Sequence, residues 1–236
     1  MNAEERHRVA VADGYLALVL HLPETATRVP CVVACHGLRA SKDSDKYLLL
    51  GAELPAAGLA LARFDFRGCG ESSGREEDTT IASRVEDVEA VLGALAGHPR
   101  LDGRVGLLGS SLGGFVALFV AARRSGTPVV TWNAPASLTD LANDEREEGD
   151  GLGIPFALEF MQGAYALAPK GVTRHLIIHG DADEVVELDH GAQLHAQAAE
   201  PCDFLVIPGA DHRLIDMAHR RQAIAASLAW LMKYLR

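Results

Sequence analysis

The stretch LLGSSLGGF, residues 107–115, follows a strongly apolar run and precedes a helical pattern. A sharp strand-to-helix turn that presents a reactive serine has the pattern Gly-x-Ser-x-Gly, because the residues two before and two after the serine crowd together. Centred on Ser111, the pattern finds Gly109 and Gly113, whereas centred on Ser110 it finds two leucines. The spacing therefore predicts Ser111 as a nucleophile and Ser110 as the occupant of the variable position.

One match to this pattern is weak evidence in a chain with 23 glycines, because a serine that caps a helix gives the same sequence. The pattern gains weight from two later strand ends, HGDADEVV (residues 179–186) and PGADH (residues 208–212). A serine needs an imidazole to take its proton, and the imidazole needs a carboxylate to orient it. The chain order Ser…Asp…His fits this architecture. It makes His212 the expected base and leaves three candidate acids: Asp181, Asp183 and Glu184.

A further strand end, CVVACHGLRASKDS (residues 31–44), supplies a loop that begins with His36 and Gly37. Acyl transfer requires backbone N–H groups aimed at the developing oxyanion. One is expected from Leu112, which follows the nucleophile, and one from Leu38 in this loop. His36 is interpreted as a residue that braces the loop rather than as a base.

Apolar runs alternate with helical patterns along most of the chain. Near-continuous apolar strands with intervening helices predict a mostly parallel sheet that is covered on both faces. The first two runs are joined by a short connection and are predicted to form an antiparallel edge. The predicted strands are residues 16–23, 29–37, 59–66, 104–110, 128–135, 175–180 and 202–209.

Residues 136–171 break this alternation and are predicted to form a short lid within a single domain that spans residues 1–236. The acidic run at residues 143–151 is predicted to be a solvated loop. The apolar segment at residues 154–168 carries a helical stripe, which is either core packing or a lid over the sheet edge. In the lid interpretation, the segment contributes the substrate contacts Phe156, Phe160, Met161 and Tyr165.

The composition excludes several classes of function. The chain has 236 residues, of which 48% are hydrophobic and 23% charged, as expected for a soluble globular protein. A net charge of -10 argues against nucleic-acid or anionic-membrane partners. A charged N-terminal segment without an apolar core predicts a cytoplasmic protein. The four cysteines are predicted to be free thiols, and no motif has metal-ligand spacing, so no metal or cofactor is expected.

Taken in order, HGLRASKDS, RFDFRGCGESSG, GLLGSSLGG, HGDADEVV and GADH resemble the motifs of the α/β-hydrolases. The resemblance is to small bacterial esterases related to serine aminopeptidases and cinnamoyl esterases. It implies an α/β-hydrolase fold with a mostly parallel eight-stranded sheet, helices on both faces and a short lid insertion. It also implies that Asp183 is the acid of a triad with Ser111 and His212, and that Asp65 and Arg67 support the loop below the active site.

The implied activity is that of a carboxylesterase-type serine hydrolase acting on small-molecule esters of short to medium acyl chain. A thioesterase, an amidase or peptidase, and an acyltransferase remain alternatives, because all of them form the same acyl-enzyme. A non-catalytic binding module is also open, since fold alone does not fix function. Dinucleotide binding through FRGCGESSG is disfavoured because Ser73 stands where the fingerprint needs its third glycine.

Overall fold

The computed structural model of the protein describes residues 3–25, 27–139 and 152–236. The strands are β1 (Ala3–Val11), β2 (Gly14–Leu22), β3 (Val29–Cys35), β4 (Ala60–Phe64), β5 (Leu101–Ser110), β6 (Val129–Trp132), β7 (His175–Gly180) and β8 (Cys202–Ile207). The helices are α1 (Asp45–Ala56), α2 (Ile81–Leu95), α3 (Leu112–Arg123), α4 (Ile154–Met161), α5 (Leu188–Gln197) and α6 (Met217–Leu235), with a 3₁₀ turn at Glu76–Asp78.

The strands form one eight-stranded sheet in the order β1-β2-β4-β3-β5-β6-β7-β8. The six strands from β3 to β8 run parallel to one another, while β1 pairs antiparallel with β2, and β2 with β4. This confirms the predicted α/β-hydrolase sheet. Because the strands are parallel, their carboxyl ends meet at one edge, where the predicted catalytic segments come together.

The predicted antiparallel pairing of the first two apolar runs is wrong. The first run is β2, but its partners are β1 and β4, and the second run is β3, which lies inside the sheet between β4 and β5. The eighth strand is β1, which no apolar run marks. As an edge strand, β1 leaves most of its side chains exposed, so it tolerates the charged sequence AEERHRVAV.

Apolar side chains bury both faces of the sheet, as the near-continuous strand runs predict. On one face, α2 and α3 pack over alternate strand residues such as Val33 and Leu107. On the other face, α1 and α6 pack over the intervening residues, including Val32 and Leu108. The four cysteines are free thiols, as predicted. Among the described residues, no helix has both the length and the apolar character needed to cross a membrane.

The segment at residues 154–168 forms a shorter helix than its stripe predicts. Helix α4 ends at Met161, and the chain then turns at Gly163, which has a positive φ of 73°. Two residues of this segment, Ile154 and Met161, are 76% and 81% exposed. Phe156 is buried, and Phe160 and Tyr165 are partly buried and pack against the core. The acidic run at residues 143–151 lies outside the described residues.

Candidate active site

Ser111 lies between β5 and α3 in a strained backbone conformation. Its φ and ψ are 54° and -130°, a region that side chains with a Cβ rarely adopt. A Cβ on Gly109 would collide with the Gly113 carbonyl, and a Cβ on Gly113 would collide with the carbonyl oxygens of Cys35 and His36. The two glycines therefore permit the sharp turn that holds the Ser111 side chain beyond the end of the strand.

Replacing Gly113 with alanine is expected to lower the free energy of unfolding by roughly 2–3 kcal/mol, because backbone rather than a flexible side chain blocks the new methyl group. Gly93→Ala is the matched control. Gly93 lies on the exposed side of α2, where an added Cβ would meet open space, so alanine should stabilise the protein by about 0.5–1 kcal/mol. Urea unfolding of both variants measures the difference. Equal stability would show that the turn is not tightly packed.

The side chains of Ser111, His212 and Asp183 form a continuous chain of contacts. The His212 Nε2 atom lies 3.1 Å from Ser111 Oγ, and Nδ1 lies 2.8 Å from Asp183 Oδ2 and 3.0 Å from Oδ1. Because an ionised carboxylate only accepts, Nδ1 carries the proton and Nε2 is left to accept from the serine hydroxyl. This is the arrangement in which an imidazole removes the proton of a serine.

The loop that follows Asp183 holds its carboxylate in the ionised form. Burial by itself would raise the pKa of Asp183, but the hydrogen bond from His212 and the amide N–H groups of Val186 and Val185 more than offset it. The net effect is a pKa below the ordinary value. The two amides donate to Oδ1 over 2.8 and 2.9 Å. Asp183 is thus a fixed negative charge beneath the imidazole.

The other two candidate acids do not contact the imidazole. Asp181 is exposed, and its Oδ1 accepts the Gly209 N–H over 2.6 Å across the turn after β8. Glu184 is also exposed. Of the three acids that the sequence left open, the geometry brings only Asp183 to His212 among the described residues.

Asn133 is a site residue that the sequence pattern did not reveal. It follows β6 with a positive φ of 50°, and its Nδ2 donates to the carbonyl oxygens of Asp211 and His212 over 3.1 and 2.9 Å. Its Oδ1 accepts the Gly180 N–H over 2.9 Å. Asn133 therefore ties the loop that carries His212 to the ends of two strands. A polar residue directly after the apolar run VVTW was the signal available.

His36 braces the loop that carries Leu38. Burial is the main reason that the pKa of His36 falls to about 4, so the ring is neutral near neutral pH. Its Nε2 accepts the Phe66 N–H over 3.1 Å, which leaves Nδ1–H to donate to the Gly37 carbonyl over 2.8 Å. Neither the Leu38 nor the Leu112 N–H has a hydrogen-bond partner among the residues that the structure describes.

Asp65 and Arg67 make contacts below this loop. The Asp65 carboxylate is fully buried, accepts the Lys42 and Glu71 N–H groups over 2.7 and 2.9 Å, and lies 3.1 Å from Lys42 Nζ. Arg67 Nε donates to Asp87 over 2.7 Å. These contacts hold the chain that runs beneath the active-site loops.

A cavity of about 440 Å³ opens beside Ser111. Its walls come from the loop after β3, the first turn of α1 and the chain after His212. None of the four predicted substrate contacts, Phe156, Phe160, Met161 and Tyr165, lines it. Tyr165 packs against Phe119, and its hydroxyl oxygen accepts from Arg123 over 3.3 Å. These four residues therefore do not form the walls of this cavity.

Three possible metal ligands, two of them on the edge strand β1, lie close together. The Nε2 atoms of His7 and His98 lie 3.2 and 3.0 Å from Glu5 Oε2. Because His98 is distant from the other two in sequence, motif spacing gave no signal for this group. Both imidazoles lie within hydrogen-bond distance of the same Glu5 oxygen, which accounts for the proximity of the three side chains.

An eight-stranded sheet of this order, with a strained serine turn at the carboxyl edge, defines an α/β-hydrolase. The sequence profile described as X-Pro dipeptidyl-peptidase (S15 family) matches residues 13–210. The chain therefore belongs to the S15 peptidase family.

Sequence relatives include an uncharacterized protein of Mycobacterium tuberculosis, 28% identical over 187 residues. The alignment covers 78% of this chain and 63% of the relative. The mitochondrial palmitoyl-protein thioesterase ABHD10 of Homo sapiens is 24% identical over 76% of this chain and 56% of its own length. The chain thus spans less than two thirds of the length of these two relatives.

Among solved structures, Est1E of Butyrivibrio proteoclasticus with bound ferulic acid has a TM-score of 0.84. It is 20% identical in sequence, and the superposition covers 97% of this chain and 98% of that one. At 20% sequence identity, the similarity between the two proteins concerns the fold alone.

Proposed function

We propose that the protein is a serine hydrolase that cleaves carboxylic esters of short to medium acyl chain. The supporting observation is the chain of contacts from Asp183 through His212 to Ser111. In this proposal Ser111 is the nucleophile, His212 the general base and Asp183 the residue that orients His212. In this proposal residues 1–236 act as one domain.

The reaction proceeds in two steps. The Ser111 oxygen attacks the ester carbonyl while His212 Nε2 takes the hydroxyl proton, and the N–H groups of Leu38 and Leu112 bind the oxyanion. The carbonyl re-forms as the C–O bond to the alcohol breaks, and the alcohol leaves with the proton from His212. A water molecule then gives its proton to His212 and attacks the acyl-enzyme. Its hydroxyl becomes part of the released acid, and the proton returns to Ser111.

A fluorophosphonate probe tests this proposal, because it reacts with an activated serine whatever the natural substrate. Covalent labelling at Ser111, found by mass spectrometry, is the expected result. Absence of labelling in a folded protein would favour the alternative of a non-catalytic binding module.

A second candidate function is amide or peptide hydrolysis, favoured by membership of a peptidase family. A thioesterase is favoured more weakly, by the name of the human relative. The same acyl-enzyme serves all three reactions. A panel of p-nitrophenyl esters, acyl thioesters and X-Pro anilides of matched size separates them by kcat/KM. We expect the esters to give the highest values.

We expect kcat/KM to be highest for esters of roughly C2 to C8 acyl chains and to fall for longer ones. A buried methylene gains about 0.8 kcal/mol, but the cavity beside Ser111 offers few apolar walls to bury it, chiefly Leu38, Ala40 and Ile215. A series of p-nitrophenyl esters from acetate to palmitate measures the profile. A maximum at C12 to C16 would require an apolar groove that this cavity does not supply.

The segment at residues 154–168 provides the control for this series. Because Phe160 does not line the cavity, Phe160→Ala is expected to leave the chain-length profile unchanged. A shift of the profile in this variant would instead restore the interpretation of the segment as a wall of the substrate site.

A further inference from the structure

The cavity beside Ser111 is lined by basic side chains, although the whole chain carries a net charge of -10. Four of its lining residues are basic, and the only carboxylate among its lining residues is Asp45. The basic residues are Arg39, Lys46, Arg213 and Arg220. A cleft lined by one sign of charge concentrates ligands of the opposite sign. An ester-binding site for neutral substrates needs no such lining.

Among these basic residues, Lys46 has the environment that most favours the binding of an anion. Its Nζ donates to Ser110 Oγ over 2.7 Å, so its hydrogen-bond partner is a neutral hydroxyl. No carboxylate of the described residues lies within 4.0 Å of Nζ. Burial, followed by the charges of Arg220 and Arg213, lowers the pKa of Lys46 to about 8. The ammonium group is therefore held beside Ser110, half-buried and without a carboxylate in direct contact.

The neighbouring arginines add to the positive charge around Lys46. Arg220 is buried, donates through Nε to the Leu214 carbonyl over 3.0 Å and lies 3.9 Å from an Asp45 oxygen. Asp45 is 84% exposed at its side chain, so it offsets only part of the local charge. Arg213 is exposed and directly follows His212. Asp211 and Asp183 are the other carboxylates that act on Lys46, and both already accept backbone N–H groups.

We propose that Lys46, with Arg213 and Arg220, binds a carboxylate carried by the substrate, so that the natural substrate is an anionic ester. This inference rests on the proposed function and specifies its substrate class. The position of Lys46 beside Ser110 sets the carboxylate a short distance from the scissile carbonyl. A short half-ester of a dicarboxylic acid, or an ester of a hydroxy acid, has a carboxylate at that distance.

Two matched pairs of esters test whether the charge is recognised and in which half of the ester it lies. The acyl pair is p-nitrophenyl hemiglutarate against p-nitrophenyl pentanoate. The alcohol pair is 4-acetoxybenzoate against its neutral methyl ester. We expect kcat/KM for the anionic member of one pair to exceed that of its neutral partner by about 10-fold or more, since a hydrogen bond to a charged group is stronger than one between neutral groups. Ratios near one or below in both pairs would overturn the proposal.

Removal of the Lys46 charge tests the assignment to this residue. We expect Lys46→Met to lower the anionic-to-neutral ratio of kcat/KM by about 10-fold, and Arg213→Gln to lower it less because that side chain is exposed. Lys170→Met, which removes an equal charge from an exposed loop outside the cavity, should leave the ratio unchanged. An equal fall in Lys170→Met, or an unchanged ratio in Lys46→Met, would contradict a local carboxylate site.

Binding without catalysis separates failure of this inference from failure of the proposed function. In Ser111→Ala, glutarate should raise the Tm, whereas the uncharged glutaramide should not, and Lys46→Met in the same background should abolish the difference. If fluorophosphonate labelling and ester hydrolysis both fail, the proposed function is wrong while this measurement still reports on the anion site. Equal Tm values with glutarate and glutaramide would overturn the inference even in an active enzyme.

Discussion

Ser111→Ala is expected to abolish fluorophosphonate labelling and to reduce ester hydrolysis by on the order of 10⁴- to 10⁶-fold. The hydroxyl oxygen that would attack the carbonyl lies 3.1 Å from His212 Nε2, and no other hydroxyl of the described residues contacts that atom. What activity remains would come from binding and from the N–H groups of Leu38 and Leu112 acting on water. Gel-based labelling and steady-state rates with a short p-nitrophenyl ester measure the loss.

The neighbouring serine supplies the matched control. Ser110 is buried and its Oγ accepts from Lys46 Nζ, so it faces the cavity wall rather than His212. Ser110→Ala should therefore still label at Ser111 and lose only a modest part of its activity, since it frees the Lys46 side chain. If Ser110→Ala were inactive while Ser111→Ala kept its activity, the assignment of the nucleophile would be wrong.

The parts of the site that the sequence predicts are those set by local geometry. The crowding around Ser111 requires small residues two positions away on either side, and Gly109 and Gly113 meet that requirement in the structure. The succession of strands and helices along the chain likewise follows from the apolar runs, because strands that are buried on both faces must be apolar throughout. Edge strand β1 escaped detection because an exposed strand has no such requirement.

The roles of Lys46 and Asn133 could not be assigned from the sequence, because these roles depend on residues that are distant in sequence. Lys46 follows Asp45 in the first turn of α1, where a charged pair is typical of a solvated helix end. Only the packing of α1 against the end of β5 and the chain after His212 brings its ammonium group into the cavity. Asn133 acts on carbonyl groups at Asp211 and His212, more than seventy positions away in sequence.

The predicted substrate contacts depended on a segment whose residue types allow two different placements. An apolar segment between strands fits a lid as well as it fits packing on the outside of the sheet, and residue type does not distinguish the two. In the structure, Glu159 on α4 accepts the Ile81 and Ala82 N–H groups over 2.6 and 2.8 Å. This contact anchors α4 at the start of α2, and the side chains of Phe156 and Tyr165 pack against the core on that side.

Asp183→Asn is expected to lower kcat by on the order of 10⁴-fold with little change in stability. The Oδ1 atom of asparagine can still accept the Val185 and Val186 N–H groups, so the loop keeps its hydrogen bonds. The amide NH₂ group would instead face His212 Nδ1, which must then accept. The ring proton moves to Nε2, and that atom can no longer take the proton from Ser111. Single-turnover kinetics with a short p-nitrophenyl ester, together with a urea unfolding curve, measure both quantities.

Asp181→Asn tests whether the loss of kcat is specific to Asp183 or follows the removal of any acid in this loop. Asp181 lies two residues earlier and accepts the Gly209 N–H, a bond that the asparagine oxygen can keep. Its side chain does not contact His212, so kcat should fall less than about 3-fold, within the range of surface substitutions. The fall in Asp183→Asn should persist at high pH, because asparagine cannot ionise to restore the negative charge below the imidazole. Comparable losses in the two variants would show that the loop as a whole, rather than the carboxylate of Asp183, orients His212.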